Sequence, residues 1–520
     1  MAIFTQAVVR LHLLCIFFAI GSFVWGYNIG ILSSILVHPG FVATMGRLTA
    51  ARKGVITAIY YLGTWLSYIF ISHPVSDYLG RRYAALIGTA VLAVGTGFEA
   101  GATAPRAYAM MIVGRIICGL GVAMVSTSVP LYQASGWAAW QVRCAEPRRV
   151  RRWFGERILG WLRGNVLGID TSSDLRLLEV FLRRRLIPAL IFGVGLPFLP
   201  ETPRWLIEHG RFNEAQRSLH WLREGSFTNA QIDHELTEIQ ESVEAYRMSG
   251  LNWLSLFRER HLFDRLWRAS LLQFMAQMCG ATAMKYYLPT LFLKLGLGTR
   301  VSLLAGSIES TLKIVMTVIE MLLIDRLGRR TTLVAGCVAM SAALLINGVL
   351  GQVYPNNQNR VSDIVCVVFI FVYAIGYSLG FGPTAWVYGS EIFPTAIRAR
   401  GLNFSASGGA IGSIVVAQVW PVGIETIGSN VYFFFFAVTV LCIPRPKVAL
   451  WKKWTSFSMQ VLSGGTLNPR RKRHRDGDPE ERPIDTPAVT LFGEQLSMAK
   501  AWAAIIEQYG SGPPYEIFRI

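Results

Sequence analysis

The sequence predicts an all-α membrane protein built from two copies of one helical unit. Three observations carry that prediction. Apolar stretches near the ~20 residues that a spanning helix needs recur along the chain. One polar string occurs twice, as Asp77-Tyr78-Leu79-Gly80-Arg81-Arg82 and as Asp325-Arg326-Leu327-Gly328-Arg329-Arg330, each time between two apolar stretches. The composition agrees: 52% of the 520 residues are hydrophobic, the mean hydropathy is +0.40 and the formal net charge is +18. A soluble chain of this length interrupts its apolar runs with charges far more often.

The two strings lie about half the chain apart, which implies duplication of one membrane unit. Asp-x-x-Gly-Arg-Arg makes a tight polar turn. The glycine permits the bend, and the arginines sit at the membrane surface on the cytoplasmic side by the positive-inside rule. Apolar spans are expected at about 11–37, 54–72, 84–104, 107–130, 186–200, 269–294, 301–324, 332–351, 363–388, 401–423 and 430–444, of which the fifth and the last are short. The first is too long for a signal peptide and lacks a small-residue cleavage site. The polar segment 201–268 shows helical periodicity at Leu219, Leu222, Ile232, Leu236 and Ile239, as short helices lying under the membrane would. The expected organisation is therefore a bundle at 1–200, a cytoplasmic loop at 201–268, a second bundle at 269–444 and a polar cytoplasmic tail without fixed structure at 445–520.

The basic excess reads as topology and contact with anionic lipid rather than nucleic-acid binding. The run Pro469 to Arg475 has no interleaved aromatics on which bases would stack. Seven cysteines and eight histidines show no metal or disulfide spacing, and six of the cysteines lie in or beside spans as buried thiols. No metal, no cofactor and no catalytic constellation is expected. Arg115 is the most costly residue of the first half, because a guanidinium inside an apolar span must be paired or wet. Its glycine-rich surroundings point it at the bundle interior.

Several strings, in order, resemble the sugar-porter branch of the major facilitator superfamily, of fungal type. Gly26-Tyr27-Asn28-Ile29-Gly30 stands where that family has Gly-Tyr-Asp-x-Gly in its first helix. Gly114-Arg115, Gly119 and Gly121 match the fourth helix, which leads into Pro130-Leu131-Tyr132. Pro200-Glu201-Thr202-Pro203-Arg204-Trp205-Leu206 matches the string after the sixth. Gln273 to Tyr287 resembles the seventh helix, and Pro383, Trp386, Glu391, Phe393, Pro394 and Arg398 match the tenth and the turn after it. The resemblance covers about residues 10–133 and 186–435. It implies the major facilitator fold with two six-helix bundles, and alternating access around a midplane site.

A sugar needs amides or hydroxyls for its hydroxyl groups and an aromatic for its ring face. Gln277, Thr282, Tyr286, Tyr287, Trp386 and Asn28 are those residue types at the family's positions. Tyr and Trp in spans also serve as interfacial anchors, and an intramembrane amide also serves helix–helix contact. Asp77, Gly80, Arg81 and Arg82, with Asp325, Gly328, Arg329 and Arg330, are expected to hold the cytoplasmic gate, partnered by Glu201, Arg204 and Glu391, with Arg398 and Arg115 in the same set of gating and structural motifs.

The departures matter as much. Proton symporters of the family have Asp where Asn28 stands, beside the arginine of the fourth helix. An amide does not titrate, so facilitated transport is expected and Arg115 is left without its usual partner. Glu99, Glu309 and Glu320 are other acids within spans. The family's amides fall on Ala276, Thr282, Gly409-Ala410 and Ser413, which allows a less polar or bulkier solute than glucose. An acidic solute would want a cation, and Lys285 is the candidate in the seventh helix. The glutamate expected after Tyr132 is Ser135. Segment 136–185 carries eleven Arg against five acids where a fifth helix should run. The last span breaks at Cys442-Ile443-Pro444, and no Pro-Glu-Thr-Lys-Gly string follows. Both regions read as sequence spliced into a regular carrier.

The expected function is transport of a monosaccharide or similar polyhydroxylated solute by an integral membrane protein, placed in the plasma membrane with both termini inside. Proton-coupled symport, a non-transporting sensor and an inactive product of a faulty gene model are the alternatives. Lipid and solute are the expected partners, with no nucleic acid.

Overall fold

The computed structural model describes residues 6–143 and 186–443, less short breaks at 38, 47, 103–105, 225–226, 249–254, 356–357 and 394–396. The charged stretch from 144 to 185, with the disrupted fifth helix, and the tail from 444 onward lie outside the described residues. Among the described residues every regular element is helical.

The first half opens with α1 (Gln6–Ile35) and the short α2 (Pro39–Met45). The second span combines α3 (Ala50–Leu66), a π-helical turn (Ser67–Ile71) and α4 (Ser72–Leu79). Thr49 caps α3, its hydroxyl accepting from the Arg52 N–H at 3.4 Å. Then come α5 (Arg81–Ala100), α6 (Ala107–Arg143) and α7 (Leu186–Gly195), with a 3₁₀ turn at Leu196–Phe198. Helix α6 runs on well beyond the expected end of its span near residue 130.

The polar loop folds into α8 (Pro203–Glu208), α9 (Phe212–Arg223), α10 (Asn229–Met248) and α11 (Ser255–Arg258). Proline suits the first turn of α8, where its missing N–H costs nothing. Trp205, Leu206, Ile207, Ala215 and Val243 form a small core against which Leu236 and Ile239 pack. Arg223 pairs with Glu235 at 2.9 Å beneath it, both buried.

The second half contains α12 (Arg260–Ala276), a π turn (Gln277–Ala281), α13 (Thr282–Lys294), α14 (Thr299–Leu327), α15 (Arg329–Val353), α16 (Arg360–Gly380), α17 (Pro383–Glu391), α18 (Arg398–Thr426) and α19 (Asn430–Leu441). Six helical stretches among the described residues are long and apolar enough to cross a bilayer: Ala50–Leu79, Arg81–Ala100, Ala107–Val129, Arg329–Val353, Arg360–Gly389 and Arg400–Thr426. Leu186–Phe198 and Asn430–Leu441 are apolar but shorter. Val94, Phe98, Val113, Val338, Val349 and Val368 point outward, as lipid contact requires.

The duplication is visible in the backbone. Gly80, between α4 and α5, has φ 97° and ψ 164°, and Gly328, between α14 and α15, has φ 80° and ψ 156°. Only glycine adopts this region without strain. Eight residues after each turn comes a second matched glycine. A Cβ on Gly88 would stand 2.8 Å from the Gly121 carbonyl oxygen, and one on Gly336 would stand 2.5 Å from the Cα of Gly380. Helices α5 and α6, and likewise α15 and α16, thus touch backbone to backbone.

The halves meet along α18, which packs beside α3 and α4, and where α1 packs against α13.

Candidate functional site

The seventh span is broken where the site was expected. Gly280 takes φ 98°, which separates α12 from α13 at the π turn. The Cys279 carbonyl next to the break accepts a hydrogen bond from the Tyr373 hydroxyl at 2.8 Å. Gln277 opens the turn and remains half-buried. Its Oε1 lies 3.0 Å from the Thr282 hydroxyl, which in turn lies 3.2 Å from the Ser413 hydroxyl on α18. Tyr377 also hydrogen-bonds Gln277. Four polar side chains from α16, α18 and the broken span therefore converge.

Next to the positions where the family's amides would fall on α18, Gly409-Ala410 and Ser413, stand two glycines of close approach. A Cβ on Gly412 would stand 2.7 Å from the Phe274 carbonyl oxygen, and one on Gly408 2.5 Å from that of Ser270. Small residues let α12 lie directly on α18. Trp386 is half-buried one turn of α18 away, packed with Ala406, Ala410, Trp65 and Tyr68, and its ring lies 6.5 Å edge-on from Trp25 of α1.

Tyr286 and Tyr287 stand apart from this cluster and bridge the two halves. The Tyr287 hydroxyl donates to the Ala417 carbonyl at 3.0 Å and lies 3.1 Å from the Thr57 hydroxyl. Tyr286 is fully buried and meets Tyr61 edge-on at 6.0 Å. Gln418 reaches the Ala51 carbonyl at 3.5 Å on the same level. These contacts close the end of the molecule opposite the two Asp-x-x-Gly-Arg-Arg turns.

Asn28 is buried and also apart from Gln277. Its Oδ1 accepts from Arg115 Nη1 at 3.2 Å. Arg115, fully buried, donates to the Ile56 carbonyl at 3.5 Å and lies over the Tyr60 ring at 4.9 Å. With Asn28 in place of the family's aspartate, the ionisable group nearest this arginine comes from elsewhere: Glu99 Oε1 of α5 stands 3.8 Å from Arg115 Nη1. A buried cation demands a counter-charge, and the neighbouring helix supplies it.

At the turn end, Glu201 Oε2 accepts from the Arg82 backbone N–H at 3.0 Å, and Arg82 Nη1 donates to the Leu199 carbonyl at 2.6 Å. The Glu201 carboxylate also lies where a Cβ on Gly80 would be, 2.5 Å from it. Arg81 pairs with Glu208 at 3.6 Å, and Arg204 with the same glutamate at 3.2 Å. Trp205 Nε1 donates to the Asp77 carbonyl at 2.7 Å. In the second half Arg329 pairs with Glu391 at 2.9 Å. Arg330 follows it into α15, half-buried. The side chains of Asp325 and Arg398 lie outside the described residues. Between the halves, Arg400 of α18 reaches Asp77 at 3.4 Å, and His73 holds that carboxylate from the other side at 3.0 Å.

Among the described residues no group of His, Cys, Asp or Glu converges as a metal site. The model of the family described as "Sugar (and other) transporter" matches residues 14–444. The chain belongs to this family of membrane transporters. A probable quinate permease of Neosartorya fischeri is 27% identical over 460 residues, 84% of this chain and 83% of the relative. An MFS-type transporter, criB of Aspergillus cristatus, is 27% identical over 397 residues, 75% of this chain and 82% of the relative. The partially occluded inward-open xylose transporter XylE from E. coli shares the fold, with a TM-score of 0.67 at 20% identity over 85% of this chain and 97% of that one. The proton:xylose symporter XylE bound to 6-bromo-6-deoxy-D-glucose gives 0.67 at 21% identity, over 86% and 96%. The protein is an integral membrane carrier that works by alternating access and makes or breaks no covalent bond.

Several residues that these contacts involve escaped the sequence reading. Arg400 had a signal, since it stands two residues beyond Arg398 in the same basic turn. His73 also had one, in its i,i+4 spacing to Asp77. Tyr377 had none, because it reaches Gln277 only through the packing of α16 on the broken span.

Proposed function

We propose that the transporter carries a ring-shaped polyhydroxylated solute, a monosaccharide or a close relative, by facilitated exchange across the plasma membrane. The observation that carries this reading is the convergence of Gln277, Thr282, Tyr377 and Ser413 at a broken helix. Unwound helices beside polar side chains are where such carriers bind solute. Trp25 and Trp386 supply apolar faces for the ring. Xylose and quinate, the solutes in the relatives' names, are both polyols. The end with the two basic turns is taken as cytoplasmic, with both termini on that side. Asp77–Arg400 closes that end and Tyr287–Thr57–Ala417 closes the outer one.

Uptake of a radiolabelled sugar and polyol panel by the full chain in proteoliposomes, with and without an imposed proton gradient, tests this. Saturable exchange insensitive to the gradient is expected. Absence of exchange for every polyol would overturn the solute class. A second reading, proton-coupled symport, has one observation in its favour: Glu99 stands beside Arg115 in the bundle interior. Accumulation above equilibrium that a protonophore abolishes would establish it over facilitation.

A further inference from the structure

Beside the polar cluster lies a cavity of about 80 Å³ between α1, α13 and α14. That is several times the ~10–15 Å³ that one water needs. Trp25 and Gly30 of α1 line one wall, and Lys285 of α13 faces Glu309 and Lys313 of α14 across it. Glu309 and Lys313 form a close ion pair one helical turn apart, and both are buried. Lys285 is the surplus charge. Among the described residues it has no carboxylate within ion-pair distance; its Nζ lies 5.8 Å from the Tyr377 ring. Of the other acids of α14, Glu320 is three turns further along and takes a hydrogen bond from Thr384, and the side chain of Asp325 lies outside the described residues.

The cavity is joined to the solute site twice. Trp25 lines it and also meets Trp386. Tyr377 sits by Lys285 and hydrogen-bonds Gln277. Two ammonium groups and one carboxylate leave a net positive charge inside the membrane, where a cation without a counter-ion is costly. The cavity has room for a carboxylate group.

We infer that this cavity is a carboxylate subsite in which Lys285, braced by the Glu309–Lys313 pair, binds the acid group of an anionic polyol. The transported solute is then a polyhydroxylated carboxylic acid rather than a neutral sugar. A charge-assisted bond from an ammonium with three donors is the interaction that discriminates the two. This rests on the polyol reading above and names its charged class.

The test uses the full chain in phosphatidylcholine proteoliposomes and a matched pair of probes, glucuronate and glucose, which differ by one carboxylate. Tryptophan-fluorescence titration and counterflow should both show glucuronate preferred by about tenfold to a hundredfold, the size of one charged hydrogen bond. Lys285→Gln should bring the ratio of glucuronate to glucose affinity to about one, and Lys285→Arg should retain most of the preference. If Lys285→Gln does not reach the membrane, the methyl ester of glucuronate on the unaltered protein gives the same comparison and should bind no better than glucose. Equal affinity for glucuronate, its ester and glucose would overturn the carboxylate subsite and leave the polyol reading standing. Cyclohexanecarboxylate, an acid without hydroxyls, separates the reverse case. Its Lys285-dependent binding, with neither polyol bound, would overturn the polyol reading and keep the subsite. Binding of none of these probes would sink both.

Discussion

Gln277 is the residue on which the solute site turns. It accepts from Thr282 and is bonded by Tyr377, and it alone of the three sits on the broken turn. Gln277→Ala should weaken solute affinity by about tenfold to a hundredfold, the cost of stranding a buried hydroxyl partner. Counterflow at sub-saturating solute reads this; an unchanged rate would make Gln277 a packing amide only. Asn28 poses a second test, because it lies 3.2 Å from Arg115. Asn28→Asp places a titratable carboxylate against that cation, and the pH dependence of exchange should then differ from that of the unaltered chain. An unchanged profile for the variant would show that the charge change at this position is not coupled to transport.

At the scale of elements, the paired glycine turns offer a comparison within one molecule. Both hold positive φ, so either substitution costs backbone strain of roughly 1–3 kcal/mol. Only Gly80 also has the Glu201 carboxylate where a Cβ would go, whereas nothing lies within 4 Å of that point at Gly328. Gly80→Ala should therefore lower the melting temperature of the purified carrier more than Gly328→Ala. Equal losses would mean that strain alone matters at both turns. These turns were legible in the sequence because a repeated local string dictates a repeated local conformation. The break at Gly280 was less legible: a lone glycine in a span is also compatible with a continuous helix closely packed on a neighbour.

At the scale of the whole molecule, two contacts tie the halves together at opposite ends. Arg400 meets Asp77 at the turn end, and Tyr287 meets Thr57 and Ala417 at the other. Alternating access requires each to open in turn. Arg400→Ala removes one latch and should change the maximal exchange rate more than the affinity, because it shifts the balance of states without touching solute. Arg329→Ala should act in the same way through the loss of Glu391. Kinetics of exchange against solute concentration check both variants. A pure affinity effect in either would place the arginine in the binding cavity and contradict the proposed gates.

The sequence by itself determined the class of molecule, its duplication and its family. These depend on composition, on period and on local strings, all of which are written along the chain. It also indicated Gln277 and Thr282 as a site and Glu201 and Glu391 as partners of the basic turns. Only the tertiary structure decided who meets whom across the fold. It set Glu99 against Arg115, Arg400 against Asp77, and Tyr286 and Tyr287 in a closure rather than beside Gln277. It also brought Lys285, in the sequence the candidate cation for an acidic solute, to a pair that includes Glu309, in the sequence one of several acids within spans. The physical reason is that a charge in a membrane is defined by its counter-charge. That counter-charge sits on another helix, at a distance along the chain that no local pattern encodes.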